Sequence, residues 1–152
     1  MARHPSESAG FLWARVLAYL LEFTEGIEFS RGGLSDPDEP ALAVRDLTGT
    51  LRAWVEIGAP DAARLHKAAK TSPRVVVYTH KDLAQLLPRW RAARIHRAGA
   101  IEVYAFERQM IEDLDAHLER RIACSVSVMD RELDISIGTV TIHGRVVRHA
   151  IE

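Results

Sequence analysis

The chain has one cysteine among its 152 residues, and this scarcity excludes two classes of protein. A single thiol, Cys124, cannot form a disulfide within the chain and cannot supply a cysteine-rich zinc site. The seven histidines are scattered without the spacing of paired metal ligands. We therefore expect neither a disulfide-stapled domain nor a zinc enzyme, and we expect Cys124 to be a buried residue of a strand.

Long apolar runs, strong charge and phosphate loops are also missing. No run approaches the roughly 20 apolar residues that a membrane-spanning helix needs, and the start, MARHPSES, lacks the pattern of a secretory signal. The net charge of −1 gives no overall basic field for nucleic acid. Neither a glycine-rich phosphate loop nor a G-x-S-x-G elbow occurs, which removes support for kinases, NTPases and esterases. These absences predict a cytoplasmic protein with no membrane partner.

What remains is the composition of one ordinary globular domain, with 47% hydrophobic and 27% charged residues. The apolar pattern predicts the order helix, hairpin, helix, strand, helix, strand, helix, hairpin, which is typical of an α/β domain with a mixed β-sheet flanked by helices. The β-formers from Val75 to Tyr78 predict a central strand buried on both faces. Strands from 122 to 151 are predicted to turn at Asp130-Arg131 and at His143-Gly144.

The segment from 35 to 70 carries the chemistry. Strands are predicted for 41–47 and 50–57, joined by a two-residue turn at Thr48-Gly49, so that position numbers across the ladder sum to 97. This register brings Asp38 beside the strand end that carries Glu56. A slip of one residue would send the side chains to the other face of the sheet.

A helix is predicted to begin at Ala59-Pro60-Asp61, with proline in its first turn, and to run to about Lys70. Arg64 and Lys67 are three residues apart on it and share one face. The amine of Lys67 can therefore meet the two carboxylates at the end of the hairpin.

A basic stretch with one aromatic residue lies between 89 and 97, on a helix predicted for 82–97 that Pro88 kinks or splits. It contains Arg89, Trp90, Arg91, Arg94, His96 and Arg97. Such a stretch is compatible with contact to a phosphate backbone, and it is equally typical of the solvated side of a helix. His80 follows the central strand, where α/β proteins often place ligand groups, although a lone histidine there is more often structural.

Several motifs together resemble the YaeQ family: ARHPSE at the start, SRGG with DEP, WVEIGAPD, and RLHKA. The resemblance covers nearly the whole chain and implies the fold of the PD-(D/E)xK nucleases, the group that includes type II restriction endonucleases. The expected architecture is a restriction-endonuclease-like core in a single domain, 1–152. The family usually has an additional strand pair before ARHPSE. This chain starts without it, so we expect a sheet that is one or two strands shorter, unless that segment is absent only from this sequence.

The resemblance also implies the roles of individual residues. Glu7 matches the acid of the first helix, Asp38 the aspartate at the start of the second core strand, and Glu56 the acid of the (D/E)xK element. Gly58 stands where that element has lysine, and Lys67 is the candidate to supply the amine from the following helix. In this scheme Asp38 and Glu56 bind Mg2+, Glu7 assists, and Lys67 acts on water and phosphate.

The implied function is that of a magnesium-dependent nuclease or nuclease-like phosphodiesterase acting on DNA or RNA. Candidate contacts to nucleic acid are Arg64, Arg89, Arg91 and Arg94. The alternative is a catalytically inactive module of the same fold that binds nucleic acid or a protein partner. Gly58 and the near-neutral net charge favour this alternative, and acids beside prolines, as in DPDEP, are ordinary turn formers. The oligomeric state stays open.

Overall fold

A computed structural model describes residues 9–29, 39–117 and 123–151 of the chain. In chain order, the described part contains α1 (Ala9–Leu21), β1 (Ile27–Phe29), β2 (Leu42–Arg45), β3 (Leu51–Ile57), α2 (Ala62–Thr71), β4 (Val75–Thr79), α3 (Leu83–Ala92), a 3-10 turn (Ala98–Ala100), β5 (Glu102–Phe106), α4 (Arg108–Ala116), β6 (Cys124–Met129), β7 (Glu132–Ile137) and β8 (Val140–Ala150). None of these helices reaches the length and apolar character that crossing a bilayer requires.

The described strands form one sheet in the order β1-β2-β3-β4-β5-β8-β7-β6. The neighbours β3, β4 and β5 are parallel, and each of the other neighbouring pairs is antiparallel. Parallel neighbours need a crossover connection, and here α2 and α3 provide it. The predicted α/β domain with a mixed sheet is therefore confirmed.

The sheet is buried on both faces at its centre. Val76 and Tyr78 pack into the cluster that contains α1 and α4, whereas Val75 and Val77 pack into the cluster that contains α2 and α3. Successive side chains of a strand point to opposite faces, so an uninterrupted apolar run is what this position requires. The prediction of a central strand covered on both sides is confirmed, and helices lie on each face.

The helices begin and end where side chains and backbone conformation dictate. Asp61 caps α2 by accepting a hydrogen bond from the amide of Arg64 (2.8 Å), so Pro60 precedes the cap and is not part of the first turn. Pro88 lies inside α3 without splitting it. The predicted continuation of α3 to residue 97 is wrong, because Arg94 and Arg97 adopt left-handed conformations with φ of 51° and 50°.

The register of β2 against β3 agrees with the sequence prediction. Leu42 pairs with Val55, Ala43 with Trp54, and Val44 with Ala53, so that each pair sums to 97. These alternations fix which side chains of β3 reach which face of the sheet. Glu56 consequently follows Trp54 onto the face that α2 covers.

The connecting turn itself differs from the prediction. The ladder shifts between Val44 and Arg45, so that Arg45 pairs with Leu51. The carboxylate of Asp46 accepts hydrogen bonds from the amides of Thr48 (2.9 Å) and Thr50 (3.0 Å). The prediction of a two-residue turn is therefore wrong. Asp46 organises a wider loop through its hydrogen bonds to nearby backbone amides.

The C-terminal strands correct three further predictions. The turn lies at Gly138 (φ 60°) and not at His143-Gly144, which is inside β8. Gly144 lacks a side chain because α4 crosses there: a Cβ atom would lie 2.4 Å from Sδ of Met110. The segment thus forms three strands instead of a hairpin. Cys124 is exposed in β6, so its predicted burial is wrong. The short strand β1 was not predicted either.

A half-buried polar network holds α1 against the sheet. Arg74 donates to Glu22 (2.7 Å from Nη1) and to Glu102 (2.7 Å from Nε). The hydroxyl of Tyr78 donates to Glu22 (2.6 Å), and that of Tyr104 donates to Glu102 (3.0 Å). One guanidinium therefore neutralises two carboxylates from different parts of the fold, one in the turn directly after α1 and one in β5.

Replacing Arg74 with methionine leaves both carboxylates without their counter-ion. We expect the free energy of unfolding to fall by roughly 2 kcal/mol, less than for a fully buried pair because the Arg74 side chain is 40% exposed. Urea unfolding followed by circular dichroism measures the change. The matched control is Arg45→Met, which removes an exposed pair with Glu28 (3.4 Å) and should cost at most about 1 kcal/mol. Equal losses would contradict the role of the network.

Candidate active site at the end of strand β3

Glu56 is a buried carboxylate near the carboxyl end of β3, with 4% of the residue exposed. Its Oε1 accepts a hydrogen bond from Nε1 of Trp54 (2.5 Å), and its Oε2 is 2.8 Å from Nε of Arg64. A buried charge is costly unless it is paired and hydrogen-bonded. The contacts with Trp54 and Arg64 therefore allow a carboxylate to be buried on a central strand beneath a helix.

Arg64 reaches Glu56 from the first turn of α2. The Asp61 cap fixes the start of that helix, and Nη2 of Arg64 donates a hydrogen bond to the carbonyl of Glu39. The guanidinium also lies 5.9 Å from the centre of the Trp54 ring, within the range of a cation–π contact. Arg64 therefore joins three parts of the chain: the end of β3, the start of α2, and the residue that follows Asp38.

The protonation of Glu56 reflects opposing effects. Burial is the largest and raises the pKa above its ordinary value, while the hydrogen bond and charge of Arg64 and the hydrogen bond of Trp54 lower it in part. Desolvation penalises the ionised carboxylate, and a nearby cation favours it. The net direction is a raised pKa, because burial removes more water from Glu56 than its two donors replace.

A cavity of about 210 Å³ opens beside this ion pair. It is lined by Phe11, Ala41, Glu56, Ile57, Ala59, Pro60 and Arg64. Gly58 has φ of 86°, and a Cβ atom there would lie 3.1 Å from the Phe11 ring. Glycine thus lets the chain turn left-handed after β3 while an aromatic side chain from α1 closes the pocket wall.

The structure describes two of the four predicted catalytic residues. Glu56 lies at the pocket, and Lys67 is an exposed residue of α2, three positions beyond Arg64. Glu7 and Asp38 lie outside the described residues. The neighbour of Asp38, Glu39, is nevertheless tied by its carbonyl to the same arginine that pairs with Glu56. The sequence analysis did not predict that Arg64 pairs with Glu56, although it placed Arg64 and Lys67 on one face of the same helix.

The donors fit a magnesium site in part. Magnesium is commonly held by one or two carboxylates together with waters, and Glu56 supplies one such oxygen ligand. Within residues 9–29, 39–117 and 123–151, no group of three acidic, histidine or cysteine side chains could hold a metal ion. The second predicted ligand, Asp38, is outside these ranges, and Arg64 occupies Oε2 of Glu56.

The predicted basic cluster is largely engaged in holding the fold. Arg91 donates to the carbonyls of Ile151 (2.5 Å) and Ala150 (3.3 Å), which anchors the end of β8. Trp90 is 1% exposed, so the aromatic residue predicted to accompany the arginines lies in the core. Of the predicted nucleic-acid contacts, Arg89, Arg91 and Arg94 are exposed residues, and the side chain of Arg64 contacts Glu56.

His80 lies on the other face of the sheet from Glu56, on the side of α1. Its ring is edge-on to Phe11 with centroids 6.4 Å apart, and a Cβ atom on Gly10 would touch it. Nδ1 is buried and has no hydrogen-bond partner among the described residues. Burial, with a smaller effect of Lys81, lowers the pKa of His80 to about 4. It is therefore a neutral ring that supports the Phe11 wall of the pocket.

Comparison with known proteins gives one consistent result. A family model described as "YaeQ protein" matches residues 1–145. The "Uncharacterized protein YaeQ" of Escherichia coli (strain K12) is 27% identical over 131 residues, which cover 86% of this chain and 72% of that protein. The crystal structure of a YaeQ protein from Xanthomonas axonopodis pv. citri is 31% identical with a TM-score of 0.83, covering 99% of this chain and 85% of that one. That from Pseudomonas syringae is 28% identical with a TM-score of 0.87, covering 97% and 82%.

The raised pKa of Glu56 predicts a pH-dependent stability. The folded protein keeps the proton in a range where the unfolded chain, with a pKa of 4.5, has lost it. Protonated Glu56 therefore contributes its full stabilisation below pH 4.5. This stabilisation is lost as the pH rises through the pKa that Glu56 has in the folded protein. We expect the free energy of unfolding of the wild type, relative to Glu56→Gln, to fall as the pH rises above 4.5 in urea titrations. Glu132→Gln, at an exposed pair with Arg145, serves as control. If the free energy of unfolding of the wild type, relative to Glu56→Gln, rose with pH instead, the effect of Arg64 on the pKa of Glu56 would outweigh that of burial.

The pKa values of His80 and His143 should be shifted in opposite directions from the ordinary value for histidine. His143 is paired with Asp134 (2.7 Å), and this hydrogen bond raises the pKa of His143 above its ordinary value, whereas that of His80 is about 4. In an NMR titration of the imidazole nitrogens, we expect His80 to stay neutral at about pH 5.5, where His143 is already protonated. Asp134→Asn should lower the pKa of His143 and leave His80 unchanged. Protonation of His80 near the ordinary value of 6.5 would contradict its desolvation.

Proposed function

This chain belongs to the YaeQ family, and from that premise we propose that it is a magnesium-dependent, nuclease-like phosphodiesterase whose site is built on Glu56. One observation carries the proposal. A buried carboxylate ends a strand of the parallel part of the sheet beside a pocket of about 210 Å³. In open α/β sheets, ligands bind outside the carboxyl ends of the strands.

The finer fold assignment, a restriction-endonuclease-like PD-(D/E)xK core, is part of this proposal. Its support is the succession of β2, β3 and α2, which presents Glu56 at the end of the second hairpin strand with a helix directly after it. Arg64 donates a hydrogen bond to the carbonyl of Glu39, the residue that follows Asp38 in the sequence, and also pairs with Glu56. An acidic pair assembled from the two strands of a hairpin is what the nuclease pattern requires.

Each residue of the proposed site has a separate role. Glu56, oriented by Trp54, and Asp38 supply the oxygen ligands, and Glu7 assists them. Magnesium, when bound to such ligands, polarises a phosphate oxygen and lowers the pKa of a coordinated water. Lys67 would hold a water beside the phosphate and would neutralise charge that develops there. The apolar wall, to which Phe11 contributes, limits the access of bulk water.

The proposed substrate class is DNA or RNA, because a phosphodiester is the group on which this set of side chains acts. The exposed residues Arg89, Arg91 and Arg94 are candidates for contact with the phosphate backbone. With a net charge of −1, binding should depend on such local contacts and not on the overall field of the protein. A cytoplasmic location belongs to the same proposal.

A second candidate is a catalytically inactive module of this fold that binds nucleic acid or a protein. Two observations favour it. Each oxygen of Glu56 already accepts a hydrogen bond from a protein donor, Trp54 or Arg64. Gly58 also stands at the position where the (D/E)xK element carries its lysine.

Cleavage assays separate the two candidates. Purified protein is incubated with single- and double-stranded DNA and RNA in the presence of Mg2+ or Mn2+. We expect metal-dependent cleavage by the wild type and a loss of roughly 100-fold in Glu56→Gln, because the substitution removes a charged ligand from the site. Asp38→Asn should lose a similar factor, and Glu132→Gln should retain activity. Absence of metal-dependent cleavage, or equal cleavage by Glu56→Gln, would replace the enzyme with the inactive module.

A further inference from the structure

We propose that one face of the protein, formed by α2, α3 and the segment after α3, binds the phosphate backbone of double-stranded nucleic acid. This basic face is defined by five exposed side chains: Lys70, Arg89, Arg91, Arg94 and Arg97. None of them belongs to the described lining of the Glu56 pocket. The inference shares the nucleic-acid ligand of the proposed function but requires neither a metal ion nor Glu56, so it applies to an active enzyme and to an inactive module alike.

The charges of the chain are unevenly distributed along the sequence. Residues 62–101, which contain both helices, carry nine lysines and arginines and one acid, a formal charge of +8. The net charge of the whole chain is −1, so all other residues together carry −9. Arg64 and Arg74, which pair with carboxylates, are not part of the basic face. The near-neutral total thus conceals a local concentration of positive charge, which is the electrostatic footprint of nucleic-acid binding.

Contacts between the two helical segments gather this charge on one side of the sheet. Side chains of α2 and α3 pack into the same apolar cluster. The amide of His96 donates a hydrogen bond to Nδ1 of His66 (3.0 Å). Nη2 of Arg97 donates to the carbonyls of Ala69 (2.8 Å) and Ser72 (3.0 Å) at the end of α2. The segment after α3 therefore returns to α2, and the exposed cations of both belong to one face.

The positive charge of the basic face is not neutralised within the part of the chain that the structure describes. None of its five cations contacts a carboxylate there. Arg91 and Arg97 bond to backbone carbonyls, which hold the guanidinium groups in place without cancelling their charge. The one acid of the segment, Asp82, caps α3 by accepting a hydrogen bond from the amide of Ala84 (2.9 Å). Such fixed cations without counter-ions favour a polyanion as the partner.

The side chains of this face favour a duplex over a single strand. Proteins that bind single strands stack the bases on exposed aromatic side chains. The tyrosine and tryptophan of residues 62–101 are Tyr78 and Trp90, which are only 3% and 1% exposed. The affinity must therefore come from phosphate contacts, and a duplex presents phosphates at high density. Because phosphate contacts carry no sequence information, we expect binding without sequence preference.

Fluorescence anisotropy with labelled short duplexes of unrelated sequence, in EDTA, tests the inference without metal or cleavage. DNA duplexes, RNA duplexes and the corresponding single strands form parallel arms. For the wild type, we expect duplex affinity to fall roughly 100-fold between about 50 and about 200 mM NaCl, as about four phosphate contacts require. We expect single strands to bind at least about tenfold more weakly. A preference for DNA or for RNA duplexes would identify which of them is the ligand and would equally support the inference.

The variant Lys70→Gln/Arg89→Gln removes one cation from each helix. We expect its duplex affinity at about 50 mM NaCl to be at least about tenfold weaker than that of the wild type, and its salt dependence to be shallower by about two phosphate contacts. The matched control is Arg108→Gln/Arg145→Gln, which removes the same charge from exposed residues of α4 and β8 outside the basic face. The control should bind duplexes as the wild type does.

Equal weakening in the two double variants would mean that only the total charge matters, and it would overturn the basic face as a binding site. Absence of salt-dependent duplex binding by the wild type would overturn it as well, whatever the cleavage assays show. Salt-sensitive self-association without duplex binding would assign the face to a second copy of the chain and also contradict the inference. Duplex binding in EDTA without metal-dependent cleavage would uphold the inference and reject only the enzyme. Should Lys70→Gln/Arg89→Gln fail to fold, the wild-type comparison of duplexes with single strands still decides.

Discussion

The pairing of Glu56 with Arg64 is the interaction on which the pocket depends. A carboxylate beneath a helix and beside an indole ring loses most of its hydration, and one short contact to a guanidinium restores part of it. Removing one partner of such a pair typically costs about 3–5 kcal/mol. The position of α2 over the end of β3 is thereby fixed through charge as well as through the apolar packing of residues such as Leu65.

This constraint explains how a carboxylate can stand beneath a helix in the core. A buried acid must have its hydrogen-bonding and charge requirements met within the fold, and Arg64 and Trp54 meet them for Glu56. The apolar walls contributed by Phe11 and Ile57 keep the surroundings poorly hydrated, so the loss of either partner would have a large electrostatic effect.

Much of the fold was accessible from the sequence because its signals are local. The run from Val75 to Tyr78 indicates a strand covered on both faces. The register predicted for the hairpin holds from Leu42 to Val44, although the two-residue turn from which it was derived is wrong. The wrong prediction of a turn at His143-Gly144 has its origin in a tertiary contact. Gly144 signals a turn in isolation, whereas in the fold it makes room for Met110.

The site was predictable to a lesser extent. Glu56 is conspicuous as a charge that ends an apolar strand, but nothing local tells whether Arg64 or Lys67 contacts it, because both lie on one helix face. The choice depends on how α2 is rotated against the sheet, and the cap at Asp61 together with the burial of Leu65 sets that rotation. The proposed partners Glu7 and Asp38 rest on the family resemblance.

Phe11 gives the pocket a dependence on distant parts of the chain. It projects from α1, on the opposite face of the sheet from α2, yet it reaches the cavity past Gly58. The cavity therefore exists only when both layers of helices are assembled on the sheet. Partial detachment of α1 would open one wall and leave the ion pair between β3 and α2 in place. Ligand binding should accordingly slow amide hydrogen exchange in α1 even though that helix contributes no charged group to the described site.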